Sequence, residues 1–182
     1  MWKDIPKYGK KLVDHGLVES HFGNISVRSN DTFVITKTGT YLDEISLDDV
    51  VELSVYEVTE FDKIASSETI VHRAIYENTD ARVIIHAHCP FSIVESLLSN
   101  DDSIIPIDSE GTCFLHNIPV VRGRIGTSEL ANNTSLALKD NTGVVVLGHG
   151  TFVIGKTLEE AYGMTAQIEH SCKIKYYYDN AL

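Results

Sequence analysis

Apolar and polar positions along this chain follow two periods, and the switches between them mark out its elements. Residues 4–19 set Ile5, Tyr8, Leu12 and Val13 among charged neighbours at helical spacing, with Pro6 suited to a first turn. Residues 21–28 read as a turn entering a strand. Asn30-Asp31 is a tight-turn pair before a second strand, Thr32–Thr36, and residues 49–56 alternate as a third. Ser66-Ser67-Glu68 stands before a helix with Ile70, Val71, Ala74 and Ile75 on one side. Residues 83–86 form a buried strand, and Pro90 opens the next helix. Ile118–Val121 is a short strand, and Thr127-Ser128-Glu129 starts a helix running through Leu138. Residues 144–147 and 151–154 are two strands around Gly148-His149-Gly150, and residues 157–178 form a long last helix. Strands occur both as neighbours in hairpins and between helices, which predicts a mixed α/β sheet with helices packed on it.

Composition narrows the class. A length of 182 residues suits one domain, residues 1–182, with a sizeable core, and 43% hydrophobic content is ordinary for a globular chain. The formal net charge of −11 argues against nucleic acid as a partner, although a local site can still take a small phosphorylated molecule. No apolar run approaches the roughly 20 residues of a membrane helix, so no membrane partner is expected. The opening Met1-Trp-Lys-Asp-Ile-Pro-Lys is charged from the start, unlike a secretory leader. Three cysteines, Cys89, Cys113 and Cys172, without a Cys-x-x-Cys pair predict reduced thiols and a cytoplasmic setting.

The histidines change the picture most. His86 and His88 end an apolar run, and residues two apart on a strand point the same way. They can offer two imidazoles to one ion from a stiff edge. His149, between two glycines that permit a tight turn, can close the set if the fold carries its loop across. Three protein ligands with an open position are the pattern of a catalytic zinc site. A satisfied polar group in a turn is the plainer reading of any one of them alone. Cys89 follows His88 but would face the other way, into the core.

Glu68 has two readings from sequence. It complements the dipole of a helix capped by Ser66 or Ser67, or it pairs with His72, four residues on, as a metal-binding face. A third role for His72 is to orient Glu68. The pairs Gly23-Asn24, Thr38-Gly39 and Ser66-Ser67 supply backbone and side-chain donors at turns and a helix start, places that hold phosphate without a large positive charge. No Gly-x-Gly-x-x-Gly run is present, and the one stretch with Gly-x-x-x-x-Gly-Lys-Thr spacing, residues 150–157, reads as a strand rather than a loop, which argues against a nucleotide enzyme. Lys37 is a conceivable Schiff-base nucleophile, but the sequence gives it neither an apolar pocket nor a cationic neighbour.

Six stretches in order resemble the class II aldolase/adducin family: residues 23–28 (Gly-Asn-Ile-Ser-Val-Arg), 36–39 (Thr-Lys-Thr-Gly), 66–72 (Ser-Ser-Glu-Thr-Ile-Val-His), 86–90 (His-Ala-His-Cys-Pro), 126–130 (Gly-Thr-Ser-Glu-Leu) and 148–150 (Gly-His-Gly). The resemblance covers about residues 8–175. It implies a three-layer α/β/α fold around a mostly antiparallel mixed sheet. It implies one Zn²⁺ per subunit on His86, His88 and His149, with Glu68 as the proton-transfer group, near or on the metal when substrate is absent. It implies a phosphate pocket from Gly23, Asn24, Thr38, Gly39, Ser66 and Ser67, and a homotetramer with sites between subunits. The implied reaction is reversible cleavage of a ketose 1-phosphate to dihydroxyacetone phosphate and an aldehyde such as lactaldehyde. Epimerases, dehydratases and decarboxylases of sugar phosphates share the scaffold, as does the non-catalytic adducin head. The family aldolases place tyrosines at the aldehyde end, in a mid-chain loop and in a C-terminal tail. Here the mid-chain loop reads Ile-Asp-Ser-Glu-Gly (107–111), which leaves Asp108, Glu110 or the Tyr176–Tyr178 cluster for that end.

Overall fold

A computed structural model describes residues 1–19, 21–99 and 101–181. Among these, eight strands are β1 (Asn24–Ser29), β2 (Thr32–Thr36), β3 (Val50–Ser54), β4 (Val83–Ala87), β5 (Ser103–Ile104), β6 (Ile118–Val121), β7 (Gly143–Val146) and β8 (Gly150–Gly155). Six α-helices are α1 (Ile5–Asp14), α2 (Thr69–Asn78), α3 (Pro90–Leu98), α4 (Ser109–Phe114), α5 (Ser128–Ala137) and α6 (Leu158–Asp179). The strands form one sheet in the order β3-β2-β1-β4-β8-β7-β6-β5. Among the described residues only the β6–β7 pairing is parallel. The mixed, mostly antiparallel sheet is therefore as expected.

Both sheet faces are covered, which explains why β4 is buried along its whole length. Val83, Ile85 and Ala87 of β4 join Ile25, Val27 and Val153 in a core under α1 and α6. Ile84 and Phe152 face the other way, into a core with Val71, Ile75, Tyr76 and Leu130 of α2 and α5. Helices α3 and α4 pack on α6, and α2 packs on α5, which completes the α/β/α layering. The register places Asn24 beside His86 and His86 beside Phe152, a row across three strands on the α2 side.

Several boundaries differ from the sequence reading. The first helix stops at Asp14, because Gly16 turns left-handed (φ +68°) and ends it. The strand read over 49–56 shortens to Val50–Ser54, since Asp49 closes a 3-10 turn, Leu47–Asp49. Ile70 is exposed, and the buried face of α2 carries His72 and Tyr76 beside Val71 and Ile75. The mid-chain loop at 107–111 runs into α4, with Asp108 as its N-cap. Among the described residues no helix is long and apolar enough to cross a membrane.

Candidate metal centre

The end of β4 and the turn into β8 meet over one small cavity of about 180 Å³. His86 is the next-to-last residue of β4, and His88 lies just beyond the strand end. His149 sits in the turn between β7 and β8, which returns the chain beside β4. Gly150 must be small, because a Cβ there would lie 2.5 Å from the Ala87 carbonyl oxygen. Glu68 enters from the other side as the N-cap residue of α2. The pairing Asn24↔His86 brings β1 to the same place.

Ligand atoms of His86, His88 and His149 all lie within 4.8 Å of one another. The Nδ1 of His86 donates to the Thr151 carbonyl at 2.8 Å, which leaves Nε2 facing the cluster. That Nε2 is 3.0 Å from His88 Nε2 and 2.8 Å from Glu68 Oε2. Glu68 Oε1 is 3.8 Å from His149 Nδ1, too far for a hydrogen bond. Both of those atoms are buried without a hydrogen-bond partner among the described residues. Two nitrogens each about 2.0–2.1 Å from a tetrahedral ion lie roughly 3.3 Å apart, so the 3.0 Å between His86 Nε2 and His88 Nε2 suits two ligands of one ion. Buried, orphaned donor atoms converging on one point are what a cation would satisfy. His86 and His88 are each also stacked against a phenyl ring. Phe22 stacks on His88 at 5.0 Å and 2°, and Phe152 on His86 at 4.2 Å and 21°.

Electrostatics agree. Burial, with the neighbouring imidazoles His86 and His149, holds His88 down to about 3. Burial and then His86 hold His149 down to about 4. Both are neutral at pH 7, the form that ligates. Burial alone would raise the Glu68 carboxyl, but His86, His149 and His72 outweigh it and bring it to about 2.

The cavity wall includes Gly23, Asn24, Thr38, Gly39, Ser66, Ser67, Glu68, His86, His88 and His149, so the structure gathers every residue singled out for phosphate, proton transfer and metal. His72 is not in the metal group. Its Nε2 meets Asn24 Oδ1 and its Nδ1 meets Ser26 Oγ, which excludes the Glu68–His72 metal face. Lys37 donates to the Asp48 carbonyl at 2.6 Å on the surface, a poor setting for a Schiff base. Asp108 and Glu110 do not line the cavity; Asp108 accepts from Gly111 N and Gln167 Nε2, and Glu110 from Ser109 Oγ. Tyr176 and Tyr177 pack on Phe91. Phe22, Phe152 and Thr151 escape the sequence reading: two look like plain core or turn residues, and Thr151 acts through its backbone oxygen. A larger groove of about 1130 Å³ opens at the far end of the sheet, between Asp80, Lys139 and Lys156, with no histidine in its wall.

A three-histidine cluster with a neighbouring carboxylate, beside a small pocket lined by glycine, asparagine, serine and threonine on an α/β/α sandwich, is the arrangement of a candidate metal site with an open position. Residues 3–176 match the family described as class II aldolase and adducin N-terminal domain. The chain is similar to an L-fuculose phosphate aldolase of Methanocaldococcus jannaschii, 30% identical over 175 residues, 94% of this chain and 93% of that one. Its fold superposes on the crystal structure of L-fuculose-1-phosphate aldolase from Thermus thermophilus with a TM-score of 0.89 and 31% identity, covering 96% of this chain and 92% of the other. A probable bifunctional methylthioribose-1-phosphate isomerase/methylthioribulose-1-phosphate dehydratase of Nocardia farcinica shares 35% identity over 86 residues, 46% of this chain and 16% of that one. The chain belongs to the class II aldolase/adducin family, close to its fuculose-phosphate aldolases, and is a lyase.

Proposed function

We propose that the protein reversibly cleaves a ketose 1-phosphate of the L-fuculose 1-phosphate type to dihydroxyacetone phosphate and an aldehyde such as L-lactaldehyde. The observation that carries this reading is the orphaned pair Glu68 Oε1 and His149 Nδ1, set between a metal-ready cluster and a donor-lined pocket. His86, His88 and His149 hold the metal, one Zn²⁺ per subunit. When bound it supplies Lewis-acid stabilisation of the negative charge that carbon–carbon cleavage leaves beside the carbonyl. Gly23, Asn24, Thr38, Gly39, Ser66 and Ser67 bind the phosphate and so fix the reacting carbons. Glu68, ionised and nearly water-free, takes the C3 proton of dihydroxyacetone phosphate in synthesis and returns it in cleavage. Glu68 is placed as the N-cap residue of α2, with its N–H donating to Ser66 Oγ at 3.3 Å.

The same reading carries residues 1–182 as one domain of a cytoplasmic homotetramer, with neighbouring subunits at each site. Exposed Phe22 and Ile125 at the cavity mouth support that association. The thiols of Cys89, Cys113 and Cys172 are all free, which suits a reducing compartment.

The test is metal content together with product identity on L-fuculose 1-phosphate, L-rhamnulose 1-phosphate and ribulose phosphates. One bound metal per chain and dihydroxyacetone phosphate release, abolished by chelation, are expected. Epimer or dehydrated product without that release would overturn the aldolase assignment. Glu68→Gln should lower cleavage about 10²–10⁴-fold while metal content holds.

A further inference from the structure

Behind the cavity wall a line of buried hydrogen bonds runs from α2 through β1 to Glu68. Tyr76 Oη lies 2.6 Å from Ser26 Oγ, and Ser26 Oγ lies 2.7 Å from His72 Nδ1. His72 Nε2 lies 2.5 Å from Asn24 Oδ1, and Asn24 Nδ2 donates to Glu68 Oε2 at 3.5 Å. His72 and Ser26 are fully buried, Tyr76 and Asn24 almost so.

The two ends set the direction of every bond. Glu68 only accepts, so Asn24 must turn its NH₂ toward the carboxylate and its oxygen toward His72. His72 then carries its hydrogen on Nε2, and its bare Nδ1 accepts from the Ser26 hydroxyl. Ser26 in turn accepts from the Tyr76 phenol, and no hydrogen is left over. The reverse order would set the Asn24 oxygen against a carboxylate and leave the Tyr76 hydroxyl hydrogen without an acceptor within the chain. Burial also keeps His72 neutral and Tyr76 protonated.

We propose that Tyr76, Ser26 and His72 are positioning residues, an ordered donor chain that locks the Asn24 amide with both N–H groups toward the cavity, making Asn24 a pure donor to Glu68 and to a bound anion. The proposal rests on the reading of this cavity as an anion pocket. Its consequence is selective. The pocket lies beside an ionised carboxylate, and a free amide could turn its oxygen inward and repel phosphate. The locked amide cannot.

The experiment uses the full chain with its metal and reads two things. In nitrogen-15 NMR of histidine-labelled protein, the neutral histidine whose signal is lost in both His72→Leu and His72→Gln should carry hydrogen on Nε2 and none on Nδ1. Affinity for inorganic phosphate should fall about tenfold in His72→Leu, and His72→Gln, whose amide can donate to Asn24 Oδ1, should recover most of it. With a ketose phosphate the loss should fall on KM more than on kcat. Hydrogen on Nδ1 of His72 in the unaltered protein would overturn the proposal. So would unchanged phosphate affinity in folded His72→Leu, or equal loss in the leucine and glutamine variants. A protein that binds phosphate with this pattern yet cleaves no ketose phosphate would sink the aldolase reading and leave the donor chain standing.

Discussion

At the scale of single residues the site depends on atoms that have no partner and on backbone that leaves no room. Gly23 shows the second. It takes φ +76°, where a side chain is strained, and an added Cβ would stand 2.7 Å from the His86 carbonyl oxygen. That contact lies at the Asn24↔His86 pair, where the pocket meets the metal cluster. Gly23→Ala should therefore cost about 1–3 kcal/mol of stability and weaken metal retention together, read from urea unfolding and from metal content after dialysis. A stability loss with metal retention untouched would mean that the strain relaxes away from His86. The sequence marks Gly23 as a turn glycine beside a polar residue. It does not show that the crowding partner is a metal ligand, because that depends on the β1–β4 register.

Among the elements, α3 and α6 hold the histidine edge in place. Helix α3 begins at Pro90, two residues past His88, and its first free N–H groups belong to Phe91 and Ser92. Glu169 of α6 accepts both at 2.8 Å, and its Oε2 also accepts from Ser92 Oγ at 2.8 Å. A carboxylate at a helix N-terminus is favoured by the peptide dipoles as well. Glu169→Ala strands these donors, at about 1–3 kcal/mol for each left unsatisfied. The thermal midpoint should drop and metal affinity with it, since His88 loses its anchor; Glu169→Gln, which keeps one acceptor oxygen, should lose less. A metal affinity equal to that of the unaltered protein would show that β4 alone places His88. Elements of this kind are largely legible: long periodic segments such as α6 and the β7–β8 hairpin stand where the pattern puts them. The six residues of α4 and two of β5 are too short for a period to declare them. The clamp itself is invisible in the sequence, because Glu169 sits 77 residues from Ser92 and reads as one more solvated acid on a helix. His86 and His88 are legible for the opposite reason. Their pairing needs only the two-residue period of a strand.

For the whole molecule, the sheet brings distant segments to one end, and the groups it buries there make the fold sensitive to acid. His72 has an ordinary pKa of 6.5 and is held by burial at about 3. His88 and His149, likewise shifted mainly by burial, sit at about 3 and about 4. As pH falls below 6.5, these imidazoles take up protons in the unfolded chain but not yet in the folded one. The unfolded state binds more protons, so stability falls with pH across that window and levels off near 3. Glu68 adds to the fall in a lower window. Its carboxyl protonates near the ordinary 4.5 when unfolded and at about 2 when folded, so its contribution is present above 4.5 and is lost as pH drops through 2. Chelated protein should therefore show a urea midpoint that declines steadily from pH 6.5 to 3. His72→Gln should flatten part of that decline without abolishing it, because His88 and His149 remain. The metal-loaded protein should fall more steeply, since protons then also compete with the metal for its ligands. A chelated protein as stable at pH 4 as at pH 7 would mean that these histidines open to water before the fold gives way, and the buried cluster would not be the element that acid attacks.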